Sequence, residues 1–259
     1  MMIRARPMHK LAPAGQRVIF WSDKPEDHMS FVFDAPKPVS LPIAGETARF
    51  PVRRVFCVGR NYAEHAAEMG NTVDRSAPFY FTKSAHHVAE SGATLPYPPR
   101  TANYHHEMEL AVAIGAPGVR VEGEAARSLI FGYAAALDMT RRDLQAEAKE
   151  KRRPWDTAKD VEGSAVIGPI TRADAAGEAE DARIWLDVNG ERRQEARTSD
   201  MIHSVEAILA DLSTLYRLAP GDIILTGTPA GVGPAGPGDR IEGGVDGLPP
   251  VRLTLGAAE

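Results

Sequence analysis

The chain is 259 residues long, enough for one large core or for a small domain beside a large one. With 43% hydrophobic and 25% charged residues and a formal net charge of -5, it reads as an ordinary globular chain without the basic footprint of a nucleic-acid binder. No run approaches the roughly 20 apolar residues a membrane span requires. The single cysteine, Cys57, lies in the apolar run 55–58, excludes a disulfide within the chain and fits a reducing cytosol.

Residues 1 to 22 carry Arg4, Arg6, Lys10 and Arg17 with no acidic residue among them. The apolar run 18–21 is too short for a secretory signal, so residues 1 to 28 read either as an extension ahead of a start at Met29 or as a working strand. The proline-rich stretch 35–42 and Gly45 read as a connector, so a small, partly disordered N-terminal segment (1–50) precedes a main domain over 51–259.

The first firm strand is expected at 53–58. Asn61 and Glu64 then stand at the spacing of a capping box, which predicts a short helix over 62–69. An aromatic-rich strand at 79–82 is followed by a longer one at 106–114. In it Glu107, Glu109, Ala111 and Ala113 share one face against Met108, Leu110, Val112 and Ile114 on the other. A strand at 133–137 delivers Asp138 at its carboxyl end, and Thr140 caps a predicted helix over 140–151. Asn189-Gly190 between strand-like flanks marks a two-residue hairpin turn. Val205, Ile208, Leu209, Leu212, Leu215 and Tyr216 give the clearest helical periodicity, over 204–218. A strand at 222–225, a glycine- and proline-rich loop over 227–238 and closing strands around 241 and 251–255 complete a β-rich α+β pattern with short helices.

Two groups of residues carry possible chemistry. On a strand, Glu107 and Glu109 lie on one face about 6.7 Å apart, close enough to share an ion. They are either a solvated edge or a metal site. Asp138, a lone acid ending an apolar segment, needs a partner, and three hard oxygen ligands without cysteine favour Mg2+ or Mn2+. His105 and His106 point to opposite faces, so at most one could join the carboxylates. His65 and Glu68, three residues apart on the short helix, are either a surface pair or a histidine oriented to deprotonate water. Lys159, Arg141, Arg142 and the loop Thr226-Gly227-Thr228-Pro229 are ambiguous alone.

Four segments in order, Cys57-Val58-Gly59-Arg60-Asn61-Tyr62, His105-His106-Glu107-Met108-Glu109-Leu110, Leu137-Asp138-Met139-Thr140-Arg141-Arg142-Asp143-Leu144-Gln145, and Leu225-Thr226-Gly227-Thr228-Pro229-Ala230-Gly231-Val232-Gly233-Pro234, resemble the fumarylacetoacetate hydrolase family. Within it they are most similar to acylpyruvate hydrolases of the fumarylpyruvate type. The resemblance implies a β-rich mixed fold, a β-roll around a metal site, and usually a homodimer. It implies a cytoplasmic enzyme that cleaves the C–C bond of a 2,4-diketo acid, most simply fumarylpyruvate to fumarate and pyruvate in aromatic catabolism. An oxaloacetate decarboxylase, or an isomerase or decarboxylase of 2-hydroxy-dienedioates, is the alternative on the same scaffold.

By the same resemblance Glu107, Glu109 and Asp138 hold Mg2+ or Mn2+. His65, Glu68 and Lys159 are catalytic, and Arg60, Lys83, Arg142, Gln145 and Thr228 contact the substrate. The chain departs from the family pattern at Ser84, His86, His87 and Val161, where relatives commonly carry a proline after the first lysine and an aromatic residue after the second. Those positions are therefore expected to choose the acyl group.

Overall fold

The structure, a computed structural model, describes residues 31–70 and 75–258. The expectations for residues 1 to 28 lie outside these. A short first unit ends at Lys37, and its described part, residues 31–37, carries no helix or strand. The second unit spans Pro38–Glu259. It takes in part of the expected connector, because Ser40–Pro42 pairs antiparallel with Arg49–Pro51. Among the described residues no helix is long and apolar enough to cross a membrane.

The second unit is β-rich. Its main sheet runs in the order Phe79–Lys83, Arg54–Gly59, Asp222–Leu225, Met108–Ile114, Ile130–Asp138, Ala165–Ile167, Val88–Glu90, with Thr171–Arg172 also paired to Ile130–Asp138. A five-stranded sheet orders Glu191–Arg197, Arg183–Val188, Arg240–Val245, Val251–Ala258 and Ala93–Tyr97. The turn between its first two strands is the predicted one, with Asn189 and Gly190 both at positive φ (54° and 83°).

Met108–Ile114 is a central strand, buried along its whole length. Its alternation therefore does not separate core from solvent. Leu110, Val112 and Ile114 join one hydrophobic cluster, while Ala111 and Ala113 join a second cluster on the opposite face with Val55, Cys57, Ala134, Ala136 and Leu225. The solvated-edge reading of the glutamates fails for this reason. Glu109 continues the alanine row and Asp138 ends the neighbouring row of Ala134 and Ala136, so both acids stand at one end of the small-residue face. Glu107 falls in the break between Tyr104–His106 and Met108–Ile114, where its carbonyl accepts from Asp138 N at 2.9 Å.

Two predicted caps are corrected. The first helix, α1, is Ala63–Glu68, and its cap residue Tyr62 makes no side-chain cap. Asn61 is fully buried and instead donates to the carbonyls of His203 (2.9 Å) and Thr226 (2.8 Å) while accepting from His203 N (2.8 Å). A tertiary cross-link of three hydrogen bonds outcompetes one local cap. The helix expected from Thr140 begins later. After α2 (Gly123–Arg127), helix α3 is Arg142–Glu150, because Thr140–Arg141 is used in pairing with Tyr104–His105. Helix α4 is Asp156–Lys159. In α5, Val205–Leu215, Ser204 caps Ala207 N and Val205, Ile208, Leu209 and Leu212 are buried, whereas Leu215 and Tyr216 are exposed.

Candidate active site

One cavity is lined by Arg60, His65, Glu107, Glu109, Arg142, Gln145, Lys159 and Thr228, residues drawn from five separate stretches of the chain. Glu107 and Glu109 line its floor and Asp138 lies just beneath them; the three are 4%, 1% and 0% exposed, and one carboxylate oxygen of each lies within 4.8 Å of the others. Three acids this close and this dry need positive charge nearby.

Most of that charge comes from the chain itself. Lys159 Nζ sits 2.7 Å from Glu107 Oε2 and 2.7 Å from Asp138 Oδ2, and Arg142 Nη2 sits 2.5 Å from Glu107 Oε1. Although burial opposes its ionisation, Glu107 is held well below the usual carboxylate range by Lys159 and Arg142. Lys159 is likewise buried, yet Asp138 and Glu107 raise its pKa and keep it charged.

Glu109 is different. It accepts from Gly227 N at 2.6 Å, but among the described residues no ion pair joins it to a cation. Burial, then repulsion from Asp138 and Glu107, pushes its carboxyl well above the ordinary value. Asp138 Oδ1 lies 2.8 Å from Lys83 Nζ yet completes no hydrogen bond. An under-satisfied set of hard oxygen atoms at this spacing fits a small divalent cation such as Mg2+ or Mn2+. Neither histidine of the strand joins it. His105 Nδ1 faces Arg142 Nε at 3.4 Å, and burial followed by the Arg142 charge lowers its pKa to about 4. His106 Nδ1 faces Gln194 Oε1 at 3.3 Å.

The helix α1 brings His65 to the same cavity. Its Nδ1 is 3.3 Å from Glu68 Oε2, and among the described residues Nε2 has no hydrogen-bond partner, so it is available to a ligand or water. Burial lowers the His65 pKa, so the ring is neutral and able to accept a proton at neutral pH. Glu68 stands behind it, outside the lining, and accepts from Gly231 N at 3.2 Å, tying the helix to the glycine-rich loop. Gly227 in that loop has φ +99°, and a Cβ there would lie 2.7 Å from Asn61 Cβ. Only glycine fits this turn, which delivers the N–H that Glu109 uses.

Two expectations are revised by position. Lys83 does not line the cavity. Its ammonium is spent on the Met139 carbonyl (3.2 Å), the Lys159 carbonyl and Ser164 Oγ (2.9 Å), beside Asp138. It braces the floor. Ser84, His86, His87 and Val161 do not line the cavity either. Asp160 Oδ1 accepts from Ser84 N at 2.8 Å and lies 2.6 Å from His87 Nδ1, so Ser84 and His87 clamp the Lys83 segment to the Lys159 segment.

Sequence reasoning missed Gln194, Lys149 and Trp155. Gln194 is the buried residue of an otherwise mostly exposed strand; it bonds Thr228 Oγ1, Pro229 O and Met108 N, each within 3.0 Å. Lys149 and Trp155 line the cavity. The helical pattern 142, 145, 149 could have placed Lys149 with Arg142 and Gln145.

The profile of the fumarylacetoacetate hydrolase C-terminal domain matches residues 54–255. Fumarylpyruvate hydrolase of a Ralstonia species is 53% identical over 193 residues, 74% of this chain and 100% of that protein. The mitochondrial oxaloacetate tautomerase of Mus musculus is 42% identical over 207 residues, 80% of this chain and 93% of that one. The crystal structure of Pseudomonas aeruginosa fumarylpyruvate hydrolase, in complex with Mn2+ and pyruvate, superposes with a TM-score of 0.84 at 45% identity, covering 88% of this chain and all of that one. With its buried acidic triad facing a histidine in one cavity of a β-rich fold, the chain belongs to the fumarylacetoacetate hydrolase family.

Proposed function

We propose that this chain is a metal-dependent hydrolase that cleaves the C–C bond of an acylpyruvate, with fumarylpyruvate as its substrate. The observation that carries the reading is the meeting in one cavity of a carboxylate-oriented neutral histidine, His65, with Lys159 and with Glu107 and Glu109, the two triad members that line it above Asp138. Likeness to fumarylpyruvate hydrolases supports it.

The reaction adds water to the acyl carbonyl and breaks the bond to the next carbon, whose electron pair leaves as pyruvate enolate. His65 takes the proton from water as the new C–O bond forms, with Glu68 holding the ring in its tautomer. Lys159 stabilises the negative charge that develops on the acyl oxygen and the enolate. Glu107, Glu109 and Asp138 would hold Mg2+ or Mn2+, which when bound would supply electrophilic stabilisation worth several kcal/mol. Arg142, fixed by Gln145 at 2.7 Å, and Thr228 orient the oxoacid end. The proton on His65 then returns to the enolate carbon, giving fumarate and pyruvate with all atoms of water accounted for. Homodimeric assembly in the cytoplasm completes the reading, on the family resemblance.

Fumarylpyruvate with Mn2+ should lose its enol absorbance while releasing equimolar pyruvate. The tautomerase relatives favour a second reading, enol–keto interconversion of oxaloacetate. Oxaloacetate turnover without any pyruvate from fumarylpyruvate would replace the first reading by the second.

A further inference from the structure

The cavity that holds Glu107 and Glu109 is also lined by Arg60, Lys149 and Trp155. Arg60 sits at φ +59°, a conformation rarely adopted by a side chain of this size. Its guanidinium carbon lies 5.4 Å from the Phe79 ring centre and 5.8 Å from that of Trp155, and Lys149 Nζ lies 5.2 Å from the same Trp155 ring. Phe79 and Trp155 meet edge to face at 5.4 Å. Gly59 makes room for this arrangement, since a Cβ there would lie 2.0 Å from the Phe79 ring.

Two cations are thus braced on one aromatic pair, and among the described residues neither is ion-paired to a carboxylate. Aromatic faces hold a cation in place without neutralising it. Burial, then the charges of Arg142 and Arg60, lowers the Lys149 pKa to about 8. Positive charge without a counter-charge, half out of water, calls for an anionic ligand group.

We propose that Arg60 and Lys149, braced on Phe79 and Trp155, form a carboxylate subsite that selects acylpyruvates whose acyl group ends in a second carboxylate over those with a neutral acyl group. The assignment of the acyl end to this subsite rests on the hydrolase reading above, since Arg142 and the acidic triad take the oxoacid end. It moves selectivity from Ser84, His86, His87 and Val161 to residues that touch the cavity.

Calorimetric titration of the Mn2+-loaded full-length protein with fumarate and with crotonate, which carries a methyl in place of one carboxylate, tests the subsite apart from turnover. Fumarate should bind at least about tenfold more tightly. Lys149→Met should remove most of that difference, leave crotonate within about twofold, and leave the thermal midpoint unchanged, while Lys149→Arg should restore it. Equal binding of the two acids by the unaltered protein, or an undiminished fumarate preference in Lys149→Met, overturns the subsite. In the steady state, Lys149→Met should raise KM for fumarylpyruvate at least about tenfold more than KM for acetylpyruvate; equal changes on both substrates overturn a selective role. Should the unaltered protein release no pyruvate from either substrate, the hydrolase reading falls while the fumarate–crotonate comparison still decides the subsite.

Discussion

The floor of the cavity and the Arg60–Lys149 side are both rich in charge, and they manage it in opposite ways. On the floor Glu107 and Asp138 meet Lys83, Lys159 and Arg142 at 2.5 to 2.8 Å, all buried, while Glu109 beside them accepts from Gly227 N. At Arg60 and Lys149 the cations rest on aromatic rings instead. A floor that is nearly balanced internally is preorganised for chemistry, where small displacements are costly. A side left with excess positive charge is suited to choosing which molecule arrives.

The sharpest way to break the floor is to unbalance it. Asp138→Ala strands Lys83 and Lys159 without their shared acid, and removing one partner of a buried pair costs about 3–5 kcal/mol. The expected outcome is a large fall in thermal midpoint together with loss of Mn2+ binding, measured by calorimetry. Glu109→Gln is the milder partner experiment. It removes a carboxylate whose ionisation the apoprotein resists, so it should keep the fold, visible as an unchanged thermal midpoint, while abolishing Mn2+ binding.

His65→Ala should lower kcat by about 10²- to 10⁴-fold with Mn2+ affinity intact, separating proton transfer from ion binding. Because burial lowers the His65 pKa, the active neutral ring is present at neutral pH and is lost only as pH falls through a value below the ordinary 6.5. The acid limb of kcat/KM should therefore lie below that value; a limb above it would remove His65 as the base.

The smallest expected effect belongs to Lys149. Its ammonium is charged below about pH 8 and faces Arg60, Arg142 and Lys159 as well as Glu107. KM for a dicarboxylic substrate should rise a few-fold as pH climbs through 8, and Lys149→Arg should flatten that rise.

How much of this was legible in the sequence follows from how local each cause is. The hairpin at Asn189-Gly190, the strand Asp222–Leu225 and the periodicity of the helix Val205–Leu215 rest on local chemistry and were legible, the helix ending three residues before the expected 218. The acidic triad was legible through spacing, composition and family resemblance together. Asn61 was misread because its partners, His203 and Thr226, are more than 140 residues away. Gln194 was invisible for the same reason. Departures from a family pattern at Ser84 and His87 marked a change without saying what those residues touch: the Ser84 backbone N–H and the His87 ring both meet Asp160.

That clamp has a consequence of its own. The strand end carrying Lys83 and the helix end carrying Lys159 are fastened to each other outside the cavity, and Lys83 itself reaches the Lys159 carbonyl. The two ammonium groups therefore behave as one mechanical part with an external handle. Substitutions at His87 or Asp160 therefore act on the placement of Lys159 by leverage, without altering any residue that lines the cavity.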